Sequence, residues 1–209
     1  MQPGRILIYG DSNVWGDKGF GENGAPLGRY ATKQQWPNIL QQLLGDEYDI
    51  IQAGLCGRTA GEYAEQTPYL GGKIGYEIAL REASPVEGVI IALGVNDASH
   101  KRVPDEQIVA DLQWYSTYTR AYAADSENDM ASGGSVWYIA PAIAPVQRYK
   151  PLASKLHCIN EKLRTTHTTI SNPLDENDDY APDGIHFSQH GHQRIAQAIY
   201  KAIKEGVAR

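Results

Sequence analysis

The stretch that decides the fold is Ile6-Leu7-Ile8-Tyr9-Gly10-Asp11-Ser12-Asn13, in which a short apolar run ends at Gly-Asp-Ser. Four apolar residues in succession are typical of a strand that is covered on both faces. Gly10 allows the chain to turn sharply where that strand ends. Ser12 then follows the carboxyl end of the strand, where open α/β sheets bind their ligands. A serine here is also typical of a helix cap or a turn, so the triplet alone leaves both interpretations open.

Apolar patterns along the rest of the chain alternate between strands and helices. Short apolar runs predict further strands at 48–52, 86–93 and 135–140, and a short last strand at 172–174. Amphipathic spacing predicts helices at 36–44, 74–82 and 152–163, a long helix after Pro104, and a final helix capped by Ser188. The segment 125–134 is polar and is expected to be an exposed connection.

This alternation predicts the α/β class, with a central parallel sheet of about five strands that helices cover on both faces. The length of 209 residues suits one domain with a full core, and no repeat, linker or break in composition divides the sequence. We therefore expect one domain over residues 1–209.

Composition and charge narrow the classes of partner. The chain is 42% hydrophobic and 21% charged, as soluble globular proteins are. Its net charge of −6 argues against nucleic acid or an anionic membrane as the main partner, because both attract basic surfaces. No apolar run is long enough for a membrane helix or a signal peptide, so a cytoplasmic location is expected.

Two smaller features are interpreted as structural. Cys56 and Cys158 lie far apart in the sequence and predict two reduced, mostly buried thiols rather than a disulfide framework. The acidic run at 175–179 predicts a solvated loop, because it lacks the glycine and glutamate placement of a calcium loop.

Residues suited to chemistry follow several of the predicted strands. They are Ser12, Gly57, Asn96, the loop 141–145 and the segment Asp183-Gly184-Ile185-His186. The carboxyl ends of parallel strands share one edge of a sheet, so these residues are expected to meet there.

Together they match what acyl transfer requires. Ser12 can be the nucleophile and His186 the base, with Asp183 holding the imidazole in the correct tautomer. A spacing of three residues would place Asp183 beside His186 in a helical turn. The backbone N–H groups of Ser12 and Gly57 and the side-chain amide of Asn96 can stabilise an oxyanion. Each residue has a structural interpretation too, as a cap, a turn or a loop histidine, and only the combination favours catalysis.

The combination resembles the four sequence blocks of the SGNH hydrolases, also called GDSL esterases. The blocks are Gly10-Asp11-Ser12, Gly57, Gly94-Val95-Asn96-Asp97 and Asp183-Gly184-Ile185-His186, in the family's order. Further segments are similar to the arylesterase and acyltransferase branch of that family: Asn23-Gly24-Ala25-Pro26, Arg29-Tyr30, Gly54-Leu55, Arg58-Thr59 and 140–145.

The resemblance implies a flavodoxin-like three-layer α/β/α fold and an esterase that needs no cofactor or metal. It implies Ser12, Asp183 and His186 as the triad and Ser12, Gly57 and Asn96 as the oxyanion hole. It also implies Asp11 and Asp97 as supporting residues. The branch acts on short acyl esters and passes the acyl group to alcohols or peroxide as well as to water. Segment 67–76 and the tyrosines at 115, 118 and 122 match no motif of the family, so the substrate pocket and homo-oligomer formation stay open.

The sequence leaves three alternative functions open. The substrate could be an O-acetylated sugar, with Trp15, Trp36, Tyr69 and Tyr149 available for stacking, although such residues are more often packing. The chain could be a metal-assisted hydrolase whose ligands are Asp11, Asp183, His186, and His190 or His192, but the last two would not share a helix face. It could also be a non-catalytic binding module on the same fold.

Overall fold

The fold is an α/β sandwich built on one parallel sheet. The computed structural model describes residues 3–63, 67–124 and 135–205. The strand order is β2-β1-β3-β4-β5, with every pairing parallel. The strands are β1 Gly4–Gly10, β2 Tyr48–Gly54, β3 Gly88–Ala92, β4 Ser135–Ile139 and β5 Thr169–Ile170. The predicted α/β class and five-stranded parallel sheet are therefore confirmed, and this strand order places a topological switch point between β1 and β3.

Seven helices connect or flank the described strands. They are α1 Ser12–Trp15, α2 Trp36–Leu44, α3 Gly72–Ala83, α4 Val95–Ser99, α5 Asp105–Ala124, α6 Lys150–Arg164 and α7 Gln189–Lys204. None of the helices in the described ranges has the length and apolar character needed to cross a membrane.

Alternation along β1 divides the interior into two cores. Leu7 and Tyr9 point to one face and pack with α3, α5 and α6, whereas Ile6 and Ile8 point to the other and pack with α2 and α7. All four side chains are at most 1% exposed. Burial on both faces explains why β1 reads as a continuous apolar run rather than as an alternating one.

Gly10 is required where β1 meets the helix that follows it. A Cβ at this position would lie 2.3 Å from Val14 Cγ2 and 2.6 Å from the Ala92 carbonyl oxygen of β3. Gly10 pairs with Gly54 on one side and with Ala92 on the other, so three strand ends converge here. The missing side chain lets α1 turn back directly over the edge of the sheet.

The predicted boundaries of the last strand were wrong. The strand is Thr169–Ile170 and not 172–174. The later segment is a turn, in which the Asn172 side chain accepts a hydrogen bond from Leu174 N at 3.0 Å, and Pro173 has no N–H for a ladder. Leu174 is nevertheless buried in the core, which is why its apolar character resembled a strand.

Two predictions about burial were also wrong. Cys158 is exposed on α6 rather than buried, while Cys56 is partly buried. The acidic run is not uniformly solvated, because Asp179 is fully buried and accepts hydrogen bonds from Arg194 and from the backbone of Asp175 and Glu176. The predicted connection at 125–134 lies outside the described residues.

Candidate active site

Ser12 is the first residue of the short helix α1, at the carboxyl end of β1. The preceding Asp11 caps the helix, because its side chain accepts the Asn13 N–H at 2.9 Å. The helix ends at Gly16, whose φ of 89° and N–H bond to the Ser12 carbonyl form a left-handed cap. Ser12 is only 6% exposed, so its hydroxyl lies in a recess at the sheet edge rather than on open surface. The cap is thus Asp11, and Ser12 is left for another role.

Asp183 and His186 contact each other directly. Asp183 Oδ2 lies 2.7 Å from His186 Nδ1, and Asp183 Oδ1 accepts the backbone N–H groups of Ile185 and His186. The connecting segment is a turn through Gly184, at φ 75°, and not the helical turn expected from the spacing. Because Nδ1 is engaged by the carboxylate, the remaining ring nitrogen Nε2 is the one available to a neighbouring hydroxyl.

Asn13 joins the serine helix to the histidine loop. Its Nδ2 donates to the Ile185 carbonyl at 3.3 Å, and its Oδ1 accepts the Phe187 N–H at 2.9 Å. These two backbone groups flank His186 on either side, and Asn13 is 6% exposed. The side chain next to Ser12 therefore fixes the backbone on both sides of the imidazole. Sequence reasoning missed this role, since no local pattern links residues that lie more than 170 positions apart.

The electrostatics of the pair favour the ionised aspartate. Burial acts to raise the pKa of Asp183, but the His186 side chain and the N–H groups of Ile185, His186 and Phe20 outweigh it and hold the pKa well below its usual range. Burial also lowers the pKa of His186, and there too the opposing effect wins. The hydrogen bond and charge of Asp183, with smaller contributions from Asp17 and Asp11, raise the His186 pKa above its ordinary value.

A second loop packs on this pair. Phe20 N donates to Asp183 Oδ2 at 2.9 Å, and the Phe20 ring lies edge-on to the His186 ring at 6.4 Å between centroids. A Cβ on Gly19 would lie 2.0 Å from Asp183 Oδ2, so only glycine allows this approach. On the other side, the Tyr149 hydroxyl donates to the Asp183 carbonyl at 2.5 Å. These contacts were also missed from sequence, where Tyr149 was considered only for stacking.

The Gly57 loop contacts the helix α4, which carries Asn96. Asn96 is on α4, and its Nδ2 donates to the Arg58 carbonyl at 3.0 Å. Gly57 has a φ of 77°, a left-handed conformation that favours glycine. The Arg58 guanidinium donates to the carbonyls of Gly10 at 2.8 Å and Ala53 at 2.5 Å, the ends of β1 and β2. This network connects the Gly57 turn to the strand that precedes Ser12, and one N–H of the Asn96 amide is not used in it.

The two carboxylates Asp11 and Asp97 are buried beneath these loops. Burial raises the pKa of Asp11 to about 6, against the Asn13 N–H and the charge of His186, which lower it. Burial likewise raises the pKa of Asp97, although its Oδ1 accepts from Ala60 N, Gly61 N and the Tyr63 hydroxyl. Asp97 therefore fixes the backbone that follows Gly57, and Asp11 fixes the helix that carries Ser12.

The residues considered as metal ligands are not brought together as a set. His192 is fully buried, and its Nδ1 accepts the Trp36 N–H at 3.2 Å on the α2 side of the sheet. His190 instead lies near Asp178 and Asp179, and the ligand atoms of these three are within 4.8 Å of one another. Asp179 is already paired with Arg194. This cluster is the group of described residues with the donor atoms for a metal ion, and it does not include Asp11, Asp183 or His186.

Most of the aromatic residues singled out in the sequence are packing residues. Trp36 is 1% exposed in the core, and Tyr115 is fully buried with its hydroxyl bonded to the Ala60 carbonyl. Tyr118 stacks on Trp114 at 4.9 Å and on Tyr122 at 6.4 Å, and all three residues lie on α5. Tyr69 is 72% exposed and remains accessible for contacts.

Comparisons with known proteins identify structures of similar fold and a matching family. A carbohydrate acetylesterase from Sinorhizobium meliloti superposes with a TM-score of 0.83 at 24% identity, covering 97% of this chain and 99% of that one. The aryl esterase of M. smegmatis superposes with a TM-score of 0.81, also at 24% identity and with the same coverage. At these identities the likeness establishes the fold. None of the curated proteins compared with the sequence matches it. A model of the GDSL-like lipase/acylhydrolase family matches residues 8–194, which is most of the chain. The chain therefore belongs to the GDSL-like lipase/acylhydrolase family.

Proposed function

We propose that this protein is a serine esterase that hydrolyses short-chain, acetyl-like esters through an acyl intermediate on Ser12. The observation that carries the proposal is the pair of hydrogen bonds by which Asn13 joins the serine helix to the histidine loop. One side chain beside Ser12 bonds the backbone on both sides of His186, while Asp183 engages the His186 ring at 2.7 Å. A hydroxyl, an imidazole and a carboxylate ordered in this way are the groups that nucleophilic acyl transfer needs.

The proposed reaction begins with proton transfer from Ser12 Oγ to His186 Nε2 as Oγ bonds to the ester carbonyl carbon. The negative oxygen that forms is stabilised by the N–H groups of Ser12 and Gly57 and by the Asn96 amide. His186 then gives its proton to the departing alkoxide, which leaves as an alcohol. Water repeats the sequence on the acyl-serine and releases the carboxylic acid. An alcohol or peroxide that takes the place of water would receive the acyl group instead.

Asp183 has an indirect part in this proposal. Its carboxylate keeps the proton of the imidazole on Nδ1 and stabilises the imidazolium that forms during each step. Four donors hold Asp183 in place, which supports a fixed orientation of the ring.

A second candidate function differs from the first only in the alcohol part of the substrate. Two of the similar structures are described as carbohydrate acetylesterases, from Sinorhizobium meliloti, at 24% and 18% identity. An O-acetylated sugar is the alternative to an aryl or alkyl ester within the same chemistry. A series of acetates of phenols, simple alcohols and sugars, compared by kcat/KM, separates the two.

Covalent labelling tests the nucleophile. The protein is exposed briefly to an excess of an organophosphorus serine probe, and its intact mass is measured beside that of Ser12→Ala. We expect one adduct on the wild-type protein and none on the variant. Ser12→Ala and His186→Ala should each lower kcat on an activated acetate ester by roughly 10⁴- to 10⁶-fold, because the residues act as a unit. Equal labelling of both proteins, or full turnover by Ser12→Ala, would refute the proposal and favour a binding module.

A further inference from the structure

The carboxylate of Asp17 lies between two parts of the candidate site, the Gly57 loop and the loop that packs on Asp183 and His186. It lies two residues after the end of α1, and its backbone N–H donates to the Ser12 carbonyl at 3.0 Å. Its Oδ1 accepts the Gly19 N–H at 2.9 Å, in the loop that packs on Asp183. Its Oδ2 accepts from the Cys56 thiol at 3.4 Å, next to Gly57. Asp17 thus contacts the loop of the oxyanion candidate and the loop that lies against His186.

The Asp17 carboxylate forms no ion pair with a described residue, although Arg29 is its neighbour in an isolated β-bridge. The nearby Arg29 is engaged elsewhere, since its Nε donates to the Trp15 carbonyl at 2.7 Å and its guanidinium stacks on the Trp15 ring at 4.5 Å. Asp17 is partly exposed, so its remaining lone pairs can face a bound molecule.

The charge of Asp17 acts on His186 and also on Cys56, which lies next to Gly57. Burial has the largest effect on the pKa of His186 and lowers it, whereas Asp183, Asp17 and Asp11 raise it. Burial also dominates at Cys56, where the hydrogen bond and charge of Asp17 add to it and raise the thiol pKa to about 12. The alcohol that leaves the tetrahedral intermediate on Ser12 must lie close to His186, since it takes its proton from the imidazolium. That group would therefore lie within the negative field of Asp17.

We infer that Asp17 is a specificity-determining residue that selects esters whose alcohol part is neutral or cationic and discriminates against an anionic one. The inference rests on the proposed esterase function and defines its substrate class. Hydroxyl-rich alcohols fit the same site, because a hydroxyl can donate to the free lone pairs of the carboxylate. An alcohol that bears a carboxylate or phosphate near the ester would be repelled by the like charge of Asp17.

The test uses two acetate esters that differ in the charge of the leaving group, 4-acetoxybenzoate and 4-acetoxybenzamide. The measured quantity is the ratio of kcat/KM for the anionic ester to kcat/KM for the neutral one. We expect Asp17→Asn, which retains an oxygen for the Gly19 N–H, to raise this ratio about 3- to 10-fold over the wild-type value. In the wild-type protein the ratio should rise with salt concentration, because ions screen the repulsion.

Two variants serve as matched controls. Glu22→Gln removes the same charge from the exposed tip of the same loop and should leave the ratio unchanged. Asp17→Glu retains the charge and should give a ratio close to that of the wild type. If Asp17→Asn is unstable, Asp17→Ser, which also has an oxygen for the turn, replaces it.

The outcomes separate this inference from the esterase proposal. Labelling of Ser12 and turnover of the neutral ester, with the same ratio in Asp17→Asn as in the wild type, would overturn the inference and leave the esterase intact. An equal rise in the ratio for Glu22→Gln would also overturn it, because the effect would then come from net charge alone. Absence of both labelling and turnover in the wild type would reject the esterase and the inference with it.

Discussion

At the scale of the residue, Asn13 shows how one side chain can orient another through the backbone. It does not contact the imidazole of His186 through any described hydrogen bond, yet it bonds the carbonyl of Ile185 and the N–H of Phe187. An apolar side chain of similar size would remove this partner from the partly buried Ile185 carbonyl and from the buried Phe187 N–H. A buried unpaired group costs on the order of 1–3 kcal/mol, so the loop would be expected to shift.

Asn13→Leu is expected to lower kcat about 10- to 100-fold on an activated acetate ester while KM changes much less, because the imidazole and not the substrate is displaced. Asn38→Leu is the control, since it removes an amide hydrogen bond from α2 to Gln52 without touching the His186 loop. Equal losses of kcat in the two variants would show that Asn13 acts on stability alone.

The protonation of His186 gives a prediction about pH. As the proposed base, His186 must be neutral, so kcat/KM falls as pH decreases through its pKa. Burial lowers that pKa, but Asp183, Asp17 and Asp11 raise it above the ordinary value of 6.5. We expect the acidic limb of the kcat/KM profile to have its midpoint above pH 6.5 and to move to lower pH in Asp183→Asn. A limb that does not move would mean that another group controls it.

At the scale of the element, the Asp11 cap of α1 has two opposing effects on the stability of the protein. Asp11 caps the helix, and the partial positive charge of a helix N-terminus stabilises a carboxylate there. The side chain is only 4% exposed, however, and burial disfavours its charge. Burial raises the Asp11 pKa from 3.8 to about 6, so its ionised form is less favourable in the folded protein than in the unfolded chain. The resulting cost to stability is absent below pH 3.8 and complete above about pH 6.

Asp11→Asn is therefore expected to raise the free energy of unfolding by about 1–3 kcal/mol at pH 8, since asparagine caps helices about as well as aspartate. At pH 4 the difference should nearly vanish. Urea unfolding at the two pH values measures both quantities. A gain that is the same at pH 4 and pH 8 would show that the carboxylate charge is not its source.

The short elements were the part of the fold that the sequence did not reveal. The helices α1 and α4 have four and five residues, too few to show a 3.6-residue period. The two-residue strand Thr169–Ile170 was misplaced for a related reason, since a buried leucine in a turn has the same apolar character as a strand residue. Longer elements such as α2, with its apolar face towards the sheet, were located from their pattern.

At the scale of the whole molecule, the sheet separates two cores that share no side chain. Ile108 on α5 belongs to one core and Ile195 on α7 to the other, and both are fully buried. Stacked layers of an α/β sandwich lie about 10 Å apart, which is beyond the range at which truncations usually interact.

Ile108→Val and Ile195→Val are each expected to lower the free energy of unfolding by about 0.5–1.5 kcal/mol, through the lost methylene and the small cavity left behind. In the double variant the two losses should add to within about 0.5 kcal/mol. Urea unfolding of the four proteins measures the coupling. A coupling energy well above that value would show that the sheet transmits strain between its faces.

The sequence by itself determined the class of fold, the order of the long elements and the family, because these depend on local periodicity and on residues that follow strand ends. It also predicted that Ser12, Gly57, Asn96, Asp183 and His186 would meet at one edge of a sheet. Only the tertiary structure decided that Asn13 bonds the histidine loop, that Gly19 and Phe20 pack on Asp183, and that Asp17 faces both loops. Those contacts join segments far apart in the chain, and their distances depend on how side chains fill space, which no local pattern of residues encodes.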